Sequence, residues 1–336
     1  LRGLGLGAAM LSPAAALLTS RSEAFAGVRR QSSPTDGDIA ILQFAAAAEL
    51  IEQDLWEQYT ELALHNPAYG AALAVIDDDM NQYIHDNTDD EASHAKFLNA
   101  YLTAIGATPV NLDAFRNLPS SQATGAKQKG RLTNLMNLTV DTSWWIRYRS
   151  RTNPDFGAVY PQFIQIVNFP AIPPMDFANG SDEIQAIANA AAFHFGTIEQ
   201  GGTSLYASFI PKASSADLLQ ILPSIGGAEI VHFTLWHDKA GSIPAVSVPG
   251  VTFPDIGSFD GDPLRQDNLI MPQPCMFFEK PLPFCSVIRP VQTQPAGAIA
   301  AATALTNSNL FQGQSQEFLD TLNTLAVNAD AAMRMC

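Results

Sequence analysis

Apolar residues recur along the first third of the chain at steps of three and four. Ile41, Ala45, Ala48, Leu55, Tyr59 and Leu62 fall on one stripe, the spacing that one buried face of a helix requires. The pattern predicts a helix from Asp38, as N-cap, to about Leu64. It stops at Asn66-Pro67, where Asn caps and Pro takes the first position of the next helix. This second helical region runs to about Ile105 and is closed by Gly106 and Pro109. Residues 107–180 show no single period. They predict a short helix near 125–140, an aromatic stretch around Trp144, Trp145 and Tyr148, and an extended segment at Val159–Phe169. Ser181-Asp182-Glu183 opens a third long helix reaching about Ile210, with acidic residues where the helix dipole favours them. Ser214 or Ser215 caps a fourth, to about Lys239, which Pro223, Gly226 and Gly227 are expected to kink or delay. Residues 241–311 are dense in proline and aperiodic. They read as an arm wrapped on the helices, because Phe253, Phe259, Phe277, Phe278 and Phe284 need somewhere to pack. A last amphipathic helix covers about 313–334. The expected fold is all-α: a four-helix bundle over 38–240 with a long crossover, then a Pro-rich C-terminal arm and terminal helix over 241–336.

Composition narrows the partners. The 336 residues hold 18 Lys and Arg against 33 Asp and Glu, a formal charge of −15. That balance argues against nucleic acid or an anionic membrane surface and is compatible with cations. Hydrophobic residues at 47% exclude a mostly disordered chain. With 3 cysteines the chain is no disulfide scaffold; Cys275 and Cys285 share one Pro-rich loop and could pair, leaving Cys336 odd. No apolar run reaches the roughly 18 residues needed to span a bilayer, so no span is expected in the mature chain. Residues 3–18 are small and apolar, follow Arg2, and precede Ala24-Phe25-Ala26, an A-x-A-like cleavage site. Residues 1–26 therefore read as a signal peptide, which implies a secreted or other extracytoplasmic protein, in a periplasm or a lumen. Asn137-Leu-Thr139 and Asn179-Gly-Ser181 are glycosylation-type sequons.

The candidate chemistry lies in two histidines that come three residues after a glutamate: Glu91-Ala-Ser-His94 and Glu229-Ile-Val-His232. Residues three apart share a helix face, so carboxylate and imidazole can reach one metal ion. The remaining bundle helices should each supply one inward glutamate. The third helix has Ile198-Glu199-Gln200 with Tyr206 seven on, and the first has Ile51-Glu52-Gln53 with Tyr59 seven on. Glu52 interrupts the apolar seam in phase. A bare carboxylate buried there costs several kcal/mol or stays protonated, a penalty a bound cation removes. Glu52, Glu91, His94, Glu199, Glu229 and His232 thus form the donor set of a carboxylate-bridged dimetal site. Hard oxygens with one histidine per ion suit two iron ions, with manganese or zinc as alternatives, and open positions would take water, oxygen or peroxide. Tyr59 and Tyr206 are core aromatics on this reading, or hydrogen-bond donors to a ligand carboxylate. Asp77-Asp78-Asp79 and Asp89-Asp90 read as solvated faces, and His65, His85, His194 and His237 as structural or exposed. Gly201-Gly202 reads as a close helix contact. No G-x-G-x-x-G or P-loop motif is present.

These motifs resemble the ferritin-like superfamily. Within it, LQFAAAAELIEQDLWEQY and DEASHAKFL resemble the first and second helices of secreted ferritin-like proteins of the desiccation-related and fungal stress-response families. The resemblance covers roughly 38–240. It implies a ferritin-like bundle and a metal centre, and leaves the reaction open between a ferroxidase or small oxidase and a stress-associated scaffold. The first-helix glutamate of that family usually precedes an aromatic by seven, which Glu49 does through Trp56; seam phase and the match with the third helix favour Glu52. The arm and crossover would obstruct cage packing, so a monomer or small homo-oligomer is expected. The Pro-rich arm and wide loops favour a protein partner.

Overall fold

The computed structural model describes residues 33–147, 161–256 and 297–335, with the short segments 272–273 and 285–286. Residues 1–26, Tyr148, Cys275, Cys336 and the phenylalanines from Phe259 to Phe284 lie outside the described residues, and with them the expected signal peptide and the Cys275–Cys285 pairing.

The first helix, α1, spans Asp36–His65. Thr35 caps it rather than Asp38. Thr35 Oγ1 accepts from the Asp38 amide at 3.1 Å, and Asp38 Oδ2 accepts from the Thr35 amide at 3.0 Å, a reciprocal capping box. Asp38 also accepts from the amides of Ser214 at 2.8 Å and Ser215 at 3.0 Å. A carboxylate with that many donors tolerates burial, and it joins the starts of two bundle helices.

The second helical region is two helices, α2 over Pro67–Ile76 and α3 over Met80–Ala104. Asp77 breaks it with an extended backbone (φ −159°, ψ 135°). The carboxylates of Asp77 and Asp79 both hold Lys239, the latter at 2.7 Å. Lys239 is buried, and a buried ammonium must be paired. The acidic run is therefore an ion-pair joint and not only a solvated face.

Ser181 caps α5, Asp182–Phe209, and Ser215 caps α6, Ala216–Lys239. The expected delay at Pro223 does not occur, and α6 runs unbroken through Gly226 and Gly227. A Cβ on Gly226 would lie 2.8 Å from Tyr206 Cβ, so glycine permits the α5–α6 crossing. The stretch Ala216–Ser242 is apolar enough by composition to cross a membrane; here it is a bundle helix packed along α5.

Helix α1 lies along α3, and α5 along α6. Trp56 on α1 stacks on Trp236 of α6 with centroids 5.5 Å apart, and its ring is 4.9 Å from that of Phe195 on α5. Runs of buried alanine, Ala45–Ala48 and Ala190–Ala192, let the backbones approach.

Residues 105–181 cross between the two pairs. The helix expected near 125–140 is absent. In its place are turns and strand β1, Leu138–Val140, paired antiparallel with β2, Ile166–Phe169. A short helix α4, Ser143–Arg147, buries Trp144 and Trp145. Buried polar groups clasp this crossover to α1. Asp54 accepts from the amides of Leu132 at 3.0 Å and Thr133 at 2.9 Å, and from Arg116 Nη1 at 2.6 Å. Glu61 pairs with Arg131, both buried.

After the bundle, β3 (Val246–Val248) and β4 (Val251–Phe253) form a hairpin whose first strand packs against α5. A helix α7, Ala298–Asn307, lies inside the expected irregular arm. The terminal helix α8 is Gln316–Asp330, shorter than predicted, and packs on α1 and α7.

Candidate metal centre

Each long bundle helix brings acidic or imidazole donors to one buried volume. Glu49 comes from α1, Glu91 and His94 from α3, Glu199 from α5, and Glu229 and His232 from α6. They form two overlapping quartets whose donor atoms lie within 4.8 Å of one another: Glu49, Glu91, His94 and Glu229, and Glu91, Glu199, Glu229 and His232. Glu91 and Glu229 belong to both. In each case histidine Nδ1 faces inward. His94 Nδ1 is 3.0 Å from Glu91 Oε2 and 3.4 Å from Glu49 Oε2. His232 Nδ1 is 3.1 Å from Glu91 Oε1 and 3.2 Å from Glu199 Oε2.

Five of the six residues expected from the sequence meet here, and Glu52 enters neither quartet; Glu49 occupies the α1 place. Seam phase could not separate the two, because α1 is buried on nearly every side, with Glu49, Ile51, Leu55, Trp56 and Tyr59 all enclosed. Nor are the two tyrosines equivalent. Tyr206 hydroxyl donates to Glu49 Oε1, while Tyr59 hydroxyl pairs with His194 Nδ1 at 2.7 Å. Burial pushes His194 down to about 3, so its ring is neutral.

Sequence reasoning missed Asn87 altogether. Its Nδ2 donates to Glu91 Oε1 at 2.9 Å and to Glu199 Oε1 at 3.0 Å, and its Oδ1 accepts from Trp236 Nε1 at 2.9 Å. The signal was present: Asn87 precedes Glu91 by four and so shares its face. Asp90, read as solvated, places Oδ2 3.0 Å from His232 Nε2. Gly202 lies against the shared ligand. A Cβ there would stand 2.1 Å from Glu229 Oε2, so the carboxylate occupies space that only glycine leaves free.

The electrostatics are those of a site built for cations. Burial, then the Glu199 charge, pushes Glu91 up to about 7 against hydrogen bonds from both histidines. Glu229 is raised well above the usual carboxylate range by burial and then by Glu91. Glu52 is raised by burial and then by Glu49, which favours its protonated form. Burial opposes charge on the imidazoles, but the nearby Glu49 and Glu91 carboxylates take His94 up to about 10, and the Glu199 charge takes His232 up to about 12. Both oxygens of Glu229, and Oε2 of Glu49 and of Glu52, are buried with no hydrogen-bond partner among the described residues. Orphaned buried acceptors of this kind need a bound ion or a proton. Four carboxylates shared between two quartets match the charge of two divalent cations, so the residues fit a metal pair.

Helices that each turn glutamate or a Glu-x-x-His pair inward around such a pocket define a class: four-helix bundles built around a carboxylate–histidine metal site. The family of the ferritin-like domain matches residues 37–242, more than half of the 336-residue chain. The protein belongs to the ferritin-like family. No curated protein and no solved structure matches it.

Proposed function

We propose that this ferritin-like protein binds two divalent metal ions, iron in the first place with manganese or zinc as alternatives, through Glu49, Glu91, His94, Glu199, Glu229 and His232. One observation carries the reading: the two quartets share Glu91 and Glu229, the arrangement that bridging carboxylates require. Bound as iron, such a pair would supply electrons to dioxygen or peroxide. The chain's own residues do the rest. Tyr206 orients Glu49, and Asn87 orients Glu91 and Glu199. Glu52 is a buried carboxyl beside the ligands, and burial and then the Glu49 charge push it well above the usual carboxylate range. Trp56, Trp236 and Phe195 are buried ring against ring and adjoin the site through the Trp236–Asn87 hydrogen bond.

Ferroxidase or small-oxidase activity is the finer part of the proposal. The N-terminal 26 residues are its export signal, and the two helix stretches that resemble desiccation-related and fungal stress-response proteins support a role outside the cytoplasm, where a metal with a purely structural role is the second reading. Elemental analysis of protein purified without chelator tests the metal reading; about two iron or manganese ions per chain are expected. Less than about a tenth of an ion per chain after incubation with Fe(II) would overturn it. Oxygen uptake above the buffer blank on adding Fe(II) separates the oxidase from the scaffold.

A further inference from the structure

The two halves of the site look equivalent in their ligands and differ in what stands behind them. Behind His232, Asp90 Oδ2 lies 3.0 Å from Nε2, the nitrogen that faces away from the ligands. Asp90 immediately precedes Glu91, in Asp90-Glu91-Ala-Ser-His94. It reaches across from α3 to the histidine of the opposite helix. The corresponding position in the second motif, Ala228-Glu229-Ile-Val-His232, is alanine. Alanine has no acceptor to offer, and among the described residues His94 makes its polar contacts through Nδ1, to Glu49, Glu91 and Glu229. Burial does not explain the difference, because the two imidazoles are 12% and 9% exposed. Glu199 takes its hydrogen bond from the Asn87 amide, which Trp236 holds in turn, and Glu49 takes its own from the Tyr206 hydroxyl, so both are supported and the difference between the halves lies behind the histidines.

We propose that the two halves bind metal unequally: the Glu199–His232 half is the tight, resident position, and the Glu49–His94 half is the weaker, exchangeable one, because Asp90 positions the His232 imidazole and Ala228 leaves that of His94 unsupported. The inference rests on the metal reading above. A carboxylate on the outer nitrogen fixes the ring and raises the basicity of the inner one, and losing such a partner costs about 10–100-fold in affinity. Asp90 is a positioning residue here; it touches no metal. The consequence is a division of labour within one pair. One ion stays and the other can enter, leave or be replaced.

Titration of metal-free full-length protein with Co(II), followed by calorimetry and visible absorption, tests this. The unaltered protein is expected to show two binding steps separated by at least about tenfold. Asp90→Asn, which removes the carboxylate charge, should weaken the tighter step by about tenfold or more and leave the weaker one in place, and Asp90→Glu, which keeps a carboxylate, should restore part of the loss. Ala228→Asp should tighten the weaker step alone. Proton NMR of the Co(II) protein supplies a readout that a merely structural role would not move: an exchangeable, hyperfine-shifted imidazole N–H from His232, lost in Asp90→Asn. Two equal steps in the unaltered protein would overturn the proposal, as would an Asp90→Asn variant that weakens both steps alike or neither. No Co(II) binding by the unaltered protein is a different result: it removes the metal reading itself, and this inference with it.

Discussion

Gly202 offers the sharpest test of the site, because its neighbour provides a control. Replacing it with alanine puts a Cβ 2.1 Å from Glu229 Oε2 and 2.9 Å from its carboxyl carbon. A carbon–oxygen contact is ordinarily no closer than about 3.3 Å, so the carboxylate must retreat by about 1.2 Å. It is the end of a side chain and can move. In the metal-free protein the clash is therefore cheap, and the helix gains up to about 1 kcal/mol from replacing glycine. In the metal-bound protein Glu229 serves both quartets, and ligands tolerate displacements of only about 0.5 Å. The expected result is a metal-free Tm within about 2 °C of the original. Metal affinity should fall by at least about 100-fold, the upper end of what losing a ligand's mere supporting partner costs. Gly201 has nothing within 4 Å of its Cβ position, so Gly201→Ala should keep both the fold and two ions per chain. Differential scanning fluorimetry and elemental analysis of the pair suffice. Undiminished metal in Gly202→Ala would refute the placement of Glu229 at the centre of the site.

The same geometry sets further outcomes. Glu49→Gln should cost one ion per chain, while Glu52→Gln should retain both, as read by elemental analysis; the reverse pattern would return the α1 place to Glu52. The metal-free protein should lose stability as pH rises. Glu91 titrates near 7 when folded against 4.5 ordinarily, so the folded state holds a proton that the unfolded chain gives up across that window. His94 and His232, raised to about 10 and about 12, contribute stability that is complete below 6.5 and lost as pH climbs through those values. The slopes agree in sign, so Tm without metal should fall from about pH 5 to 9, while the Tm gain on adding metal grows because binding releases these protons. A metal-free Tm that rises over that range would contradict it. Glu61→Ala leaves Arg131 buried without its partner and should cost about 3–5 kcal/mol, a fall in Tm on the order of 10 °C; a negligible shift would mean that the clasp on the crossover is idle.

The bundle was legible because its helices carry their own punctuation. Ser181 and Ser215 cap where they should, Asn66-Pro67 breaks where it should, and the two Glu-x-x-His pairs stand out as polar intrusions on apolar faces. The choice between Glu49 and Glu52 was not legible. A helix buried on one side announces its face, but α1 is covered by α3, α8 and the crossover together, so its apolar residues point nearly everywhere. The crossover was opaque for a related reason. Its order comes from buried polar contacts with α1, through Asp54 and Glu61, between residues 62 to 79 positions apart, and no local period encodes them. Asp90, Asp78 and Asp79 are exposed, as the sequence suggests, but the ion partners His232 and Lys239 were not legible because they are distant in the chain.

Asn87 belongs to α3, its amide nitrogen grips one carboxylate on its own helix and one on α5, and its carbonyl is gripped by an indole from α6. One side chain thereby works as an alignment pin for three helices. Sliding any of them by a single turn, about 5.4 Å, would break its share of the contacts. The spacing between these carboxylates is thus set by the protein's own hydrogen bonds. On the metal reading proposed above, the pocket would be a gauge already cut to size, selecting ions that fit it rather than drawing the helices together.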